Sequence, residues 1–227
     1  KGRHVTKNKI SQADLETAGD ITPEIFRQMM EASAKIISSE RNNLCKLDGA
    51  IGDGDHGITM ESGWKAVLRA FSKTDAGTSI SELCEIAGDA FLDAVGASVG
   101  PLYASAFQHA SEAVSDRLNL DAVSVVSLIE AVTNGIAQRG GAKLGDKTMI
   151  DAWQLATAAA RKTLDDQGST KDCLKAAAVG AQAGADATKE MTSQLGRSKK
   201  LGKRSIGHVD PGATSAVLII SAWHDAL

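Results

Sequence analysis

From Ile25 to Ile220 the apolar residues recur three or four positions apart, in blocks of ten to twenty residues separated by glycine, proline and charged stretches. That period belongs to the α-helix, and it confines the chain to helical architectures. Eight such blocks can be read. The first starts at Thr22-Pro23-Glu24, an N-cap, a first-turn proline and an acid at the positive end of the dipole, and carries Phe26, Met29, Met30 and Ile37. The second carries Met60, Trp64, Val67 and Phe71, and the third opens on the Ser79/Glu82 capping-box pattern. The fourth begins at Pro101, the fifth near Asp121, the sixth near Lys147 and the seventh near Thr170. The eighth follows Asp210-Pro211. No convincing strand interrupts them, and aromatic residues are only 4% of the chain. The expected fold is all-α, an eight-helix antiparallel up-down barrel or bundle over residues 21–227, after a polar leader or linker at 1–20.

If successive helices alternate in direction, the joints between helices 1 and 2, 3 and 4, 5 and 6, and 7 and 8 share one end. Their loops differ from the others in composition. The opposite end has short polar turns near Thr74–Thr78, Arg117–Leu120 and Asp165–Ser169. The shared end has Gly49–Gly57, Gly96–Gly100, Gly140–Thr148 and Gly196–Gly212, each rich in glycine and each leading into a helix N-terminus. Helix N-termini favour anions, and glycine lets backbone N–H groups approach them. The site is therefore expected at that end.

The first of these loops places Asp48, Asp53 and Asp55 among glycines 49, 52, 54 and 57. Carboxylates this close repel one another unless a cation lies between them, and hard oxygen donors suit Mg2+ better than Zn2+. Next to anion-binding helix starts, the simplest ligand is a nucleotide whose phosphates are bridged by Mg2+. An EF-hand register from Asp53 would need a carboxylate at Trp64, and a P-loop is broken by Asp146 and lacks a preceding strand. His56 and His208 suit a phosphate-facing or supporting role. Lys143 and Lys147 are solvated or meet phosphate, and Arg197, Lys199, Lys200, Lys203 and Arg204 offer charge to phosphates or an acidic partner.

Other classes are disfavoured. A formal net charge of −3 over 227 residues argues against nucleic acid as the main partner. Three separated cysteines suggest neither a disulfide framework nor a zinc site, so a reducing cytoplasm is expected. The longest apolar run, Ala216–Ile220, cannot span a bilayer, and no membrane role is expected.

Three ordered motifs also carry a family likeness: Leu47-Asp48 with Gly52-Asp53-Gly54-Asp55-His56-Gly57, Gly140-Gly141-Ala142-Lys143 with Gly145-Asp146-Lys147-Thr148-Met149, and Gly202 to Ala213. Together they make residues 22–227 resemble the nucleotide-binding L subunit or domain (DhaL-type) of dihydroxyacetone kinases. The resemblance implies an eight-helix barrel with ADP or ATP at its rim and two Mg2+ ions held by Asp48, Asp53 and Asp55. It also implies nucleotide contacts from His56, Gly57, Ile58, Thr59, Ser98, Gly140, Met149, Arg197, Asp210, Pro211 and Gly212. The sequence departs from the family at Thr59, where asparagine is usual, and at Val99, where serine is usual. The implied activity is phosphoryl transfer to dihydroxyacetone or a related short ketose bound on a separate K-type subunit. The donor is ATP or a phosphocarrier (M-type) subunit, and the likeness leaves room for a homodimer. The competing expectation is a non-catalytic nucleotide-sensing module that regulates a transcription factor or another partner protein.

Overall fold

A computed structural model describes residues 20–96 and 98–227. The expected leader therefore lies outside the described residues except for Asp20, as does Ala97. Nine α-helices are present among the described residues: α1 Pro23–Ser39, α2 Arg41–Ile51, α3 His56–Phe71, α4 Ile80–Ala94, α5 Val99–Ala113, α6 Ala122–Gly140, α7 Met149–Asp165, α8 Thr170–Ala187 and α9 Pro211–Asp225. Two 3-10 segments, Thr188–Glu190 and Arg197–Ser205, lie between α8 and α9. The only bridge pairing among the described residues is isolated, between Ile21 and Leu120.

Helix starts follow from local chemistry. Thr22 accepts from the Ile25 amide, Asp121 from Ser124 and Asp210 from Ala213, while Ser79 with Glu82 forms the expected capping box. Two boundaries differ from the sequence expectation. Helix α5 begins at Val99, two residues before Pro101, because proline is tolerated inside the first turn. The second difference is α2, which follows α1 after a break at Glu40 and buries only Leu44 and Ile51. Asp48 is thus in the last turns of a helix rather than in the loop.

Packing closes a ring. Helix α1 packs on α3, α3 on α4, and so on in chain order to α9, which packs back on α1. Eight helices therefore form the barrel, and α2 is a spur against α3 and α9. Its interior is filled, with Trp64 edge-on to Phe91 and Phe107, Phe91 stacked on Tyr103, and Trp153 against Trp223. Trp64, Trp153 and Phe91 are almost fully buried, and such side chains contribute about 1.5–3 kcal/mol each. The α9–α1 seam is pinned by Trp223 Nε1 donating to Ser33 Oγ at 3.1 Å. No described helix is long and apolar enough to cross a membrane.

Candidate functional site

The acidic turn is built around one carboxylate oxygen. Asp48 Oδ2 accepts from the backbone N–H groups of Gly54 (2.8 Å), Asp55 (3.0 Å) and His56 (3.3 Å), folding the turn back onto the end of α2. Glycine is required at two points of this turn. A Cβ on Gly52 would collide with Asp48 Oδ1, and Gly54 has φ +81°, a left-handed conformation. The result brings carboxylate oxygens of Asp48, Asp53 and Asp55 within 4.8 Å of one another.

This donor set fits a hard divalent cation, since all three ligands are carboxylate oxygens. Arg197 lies on the same cluster, forming ion pairs with Asp53 and, at 3.4 Å, with Asp55. Its side chain remains about half exposed. It follows Gly196, whose φ of +70° turns the chain toward the carboxylates.

The four glycine-rich joints meet in one cleft of about 500 Å3, a size typical of small-molecule sites. Its wall contains the first residues of α3, α5, α7 and α9, namely His56, Val99, Met149 and Pro211. Of the residues singled out in the sequence, Asp48, Asp53, Asp55, His56, Thr59, Ser98, Gly140, Met149, Arg197, Asp210, Pro211 and Gly212 line it. Gly57 and Ile58 do not. Gly57 is buried against α2, where a Cβ would collide with the Arg41 carbonyl, and the Ile58 side chain is exposed outside the cleft.

His56 is buried, and burial pushes its pKa down to about 4 despite the opposing pull of Asp48, so the ring is neutral near pH 7. His56 Nε2 is hydrogen-bonded to Ser215 Oγ (3.0 Å), which also lies 2.9 Å from the Gly212 carbonyl oxygen. That contact makes His56 a brace between α3 and α9.

One residue behaves differently from the sequence reading. Lys147 is almost fully buried rather than solvated, with φ +60° and its Nζ donating to the carbonyls of Thr188 and His208, both at 2.5 Å. Burial lowers its pKa, opposed by Asp210, Asp151 and Glu190. The loop before it is held by Asp151, which accepts from Gly145 (2.6 Å) and Thr148 (2.8 Å). Sequence reasoning passed over Asp151 and also Arg139, which lines the cleft with the apolar Leu102 and Ile136. Thr148-x-x-Asp151 matches a capping box and could have been read. Arg139, on a helix end, carried no such signal.

Residues 50–225 match the DAK2 domain family. The chain is 38% identical to the ADP-binding subunit DhaL of a PEP-dependent dihydroxyacetone kinase 1 from Listeria innocua, covering 82% of this chain and 87% of that protein. It is 35% identical to the corresponding ADP-binding subunit from Escherichia coli, over 82% of this chain and 88% of the relative. Among solved structures, the dihydroxyacetone kinase of C. freundii in complex with AMP-PNP and Mg2+ superposes with a TM-score of 0.69 at 24% identity. That superposition covers 100% of this chain but 38% of the kinase, and shows a shared fold.

Proposed function

The chain belongs to the DAK2 domain family, and on that premise we propose that it is the Mg-nucleotide-binding, phosphoryl-transferring subunit of a dihydroxyacetone or related short-ketose kinase. The convergence of three carboxylates, four helix N-termini and Arg197 on one cleft carries this reading. The names of its ADP-binding relatives support ADP as a retained cofactor, with ATP as the alternative donor.

Asp48, Asp53 and Asp55 would hold two Mg2+ ions, which when bound supply charge neutralisation and orientation of the phosphates. The chain's own groups do the rest. The positive dipole ends of α3, α5, α7 and α9, fixed by the fold, favour an anion in the cleft without reorganisation. Arg197, beside the carboxylates and about half exposed, would offer its guanidinium to a phosphoryl oxygen in the cleft. Met149, Leu102 and Ile136 exclude water from the apolar part of the cleft.

No residue of the chain is assigned as acid, base or nucleophile toward the ketose. A K-type subunit supplies the acceptor, and a phosphocarrier (M-type) subunit recharges the nucleotide when ATP is not the donor. A cytoplasmic location follows from that assembly.

The deciding experiment mixes the chain with a K-type subunit and dihydroxyacetone, and measures ketose phosphate with Mg-ATP or with a phosphorylated carrier. Product with either donor is expected, and Asp53→Asn should lower it sharply by weakening Mg-nucleotide binding at least tenfold with helical content unchanged. Nucleotide binding without product from either donor would favour a sensing module instead.

A further inference from the structure

The cleft is polarised across the barrel mouth. Its clustered carboxylates and Arg197 come from the end of α2, the α2–α3 turn and the segment before α9, whereas Val99 and Leu102 of α5 and Ile136 of α6 form an apolar wall. In ring order, α5 and α6 stand opposite α9 and α1, so this wall is at the far side from the segments bearing the charged cluster. Arg139, in the last turn of α6, is exposed and lines the cleft beside these apolar residues.

Among the described residues the Arg139 side chain makes no ion pair and no hydrogen bond, and the residue is exposed. It also borders an outer groove between α4 and α5 that carries Glu85, Asp89 and Glu112, yet it pairs with none of them. The negative end of α6 favours a cation there, and the exposed side chain is at the edge of the cleft's apolar wall, within reach of a bound ligand. A guanidinium is planar and weakly hydrated, and it stacks on aromatic rings in a way an ammonium does not.

We propose that Arg139 is a nucleoside-recognition residue, its guanidinium lying against the face of the base while the carboxylate end of the cleft engages the phosphates. This rests on the nucleotide reading above and adds to it a contact that ignores phosphate.

The test is isothermal titration of the full chain with Mg-ADP and, separately, with Mg-tripolyphosphate, which has no nucleoside. R139A should weaken Mg-ADP about threefold to fivefold, in keeping with a cation–π contact at an exposed site, and leave tripolyphosphate affinity and melting temperature unchanged. R139K keeps the charge without the plane and should lose nearly as much. Unchanged ADP affinity in R139A, an equal loss with tripolyphosphate, or full rescue by lysine would each overturn the assignment. A wild-type chain that fails to bind Mg-ADP would overturn the nucleotide reading itself, before any variant is compared.

Discussion

Asp210 carries two requirements that conflict. It caps α9 by accepting from Ala213 at 2.8 Å, and it is buried at the floor of the cleft. Burial is the larger influence and raises its pKa to about 7, against the Ala213 N–H and the charge of Lys147. The folded protein therefore holds a proton on Asp210 that the unfolded chain releases above its ordinary value of 3.8. The stabilising contribution is complete below that value and is lost as pH rises toward 7. Compared with Asp210→Asn, which keeps a capping oxygen, the wild type should lose relative stability across that window. The slope should be at most about 1.4 kcal/mol per pH unit. His56 works in the opposite sense, its contribution being present above 6.5 and lost as pH falls to about 4. It is common to both proteins and cancels in the difference. Denaturant melts of the two from pH 4 to 8 check this, and a flat difference would refute it. The carboxylates were legible at this scale because their spacing is local. Lys147 was not, since the Thr188 and His208 carbonyls that bury it are 41 and 61 residues away in sequence.

Capping boxes show that the same local device has different reach in different elements. Ser79 and Glu82 start α4 and touch only that turn, with the Glu82 carboxylate held below its usual range by the Ser79 N–H and hydroxyl. Thr148 and Asp151 start α7, but Asp151 is fully buried and also fixes the Gly145 amide six residues back. Ser79→Ala should therefore cost about 1 kcal/mol and leave Mg-ADP affinity unchanged. Asp151→Ala leaves two N–H groups without their partner and should cost about 3 kcal/mol while weakening Mg-ADP several-fold. Thermal melts and nucleotide titrations of both variants test this, and equal nucleotide affinities would show that the loop holds its shape without Asp151. Eight of the nine helices were legible because each has an amphipathic stripe or a recognisable cap. Helix α2 was not: Arg41–Ile51 buries two side chains, has no side-chain cap and contains Gly49, so it exists by packing on α3 and α9.

The cleft belongs to the closed ring rather than to any single element, because its four joints meet only if all eight barrel helices alternate and the last packs on the first. Alternating loop composition made that end of the barrel readable, whereas the curvature that turns the joints inward depends on how closely neighbouring helices approach. Among the barrel helices the approach is tightest between α7 and α8. A Cβ on Gly180 would collide with the Leu155 carbonyl, and one on Gly184 would lie 2.7 Å from the Asp151 carbonyl carbon and collide with its oxygen. The small residues of α8 are therefore what allow the first turn of α7 to sit where Asp151 reaches Gly145 and Thr148. Gly184→Ala must push α7 and α8 apart, and overpacking of this kind costs about 1–3 kcal/mol. The displaced turn carries Met149 and the loop anchor, so Mg-ADP affinity should fall along with stability, although Gly184 does not line the cleft. Gly77 is the control: it lies in the α3–α4 turn at the opposite end, with nothing within 4 Å of an added Cβ. Gly77→Ala should match the wild type in both melting temperature and nucleotide affinity. A Gly184→Ala protein that melts lower but binds Mg-ADP normally would show that the cleft is insulated from the α7–α8 spacing; the close approach at Gly184 requires that both change together.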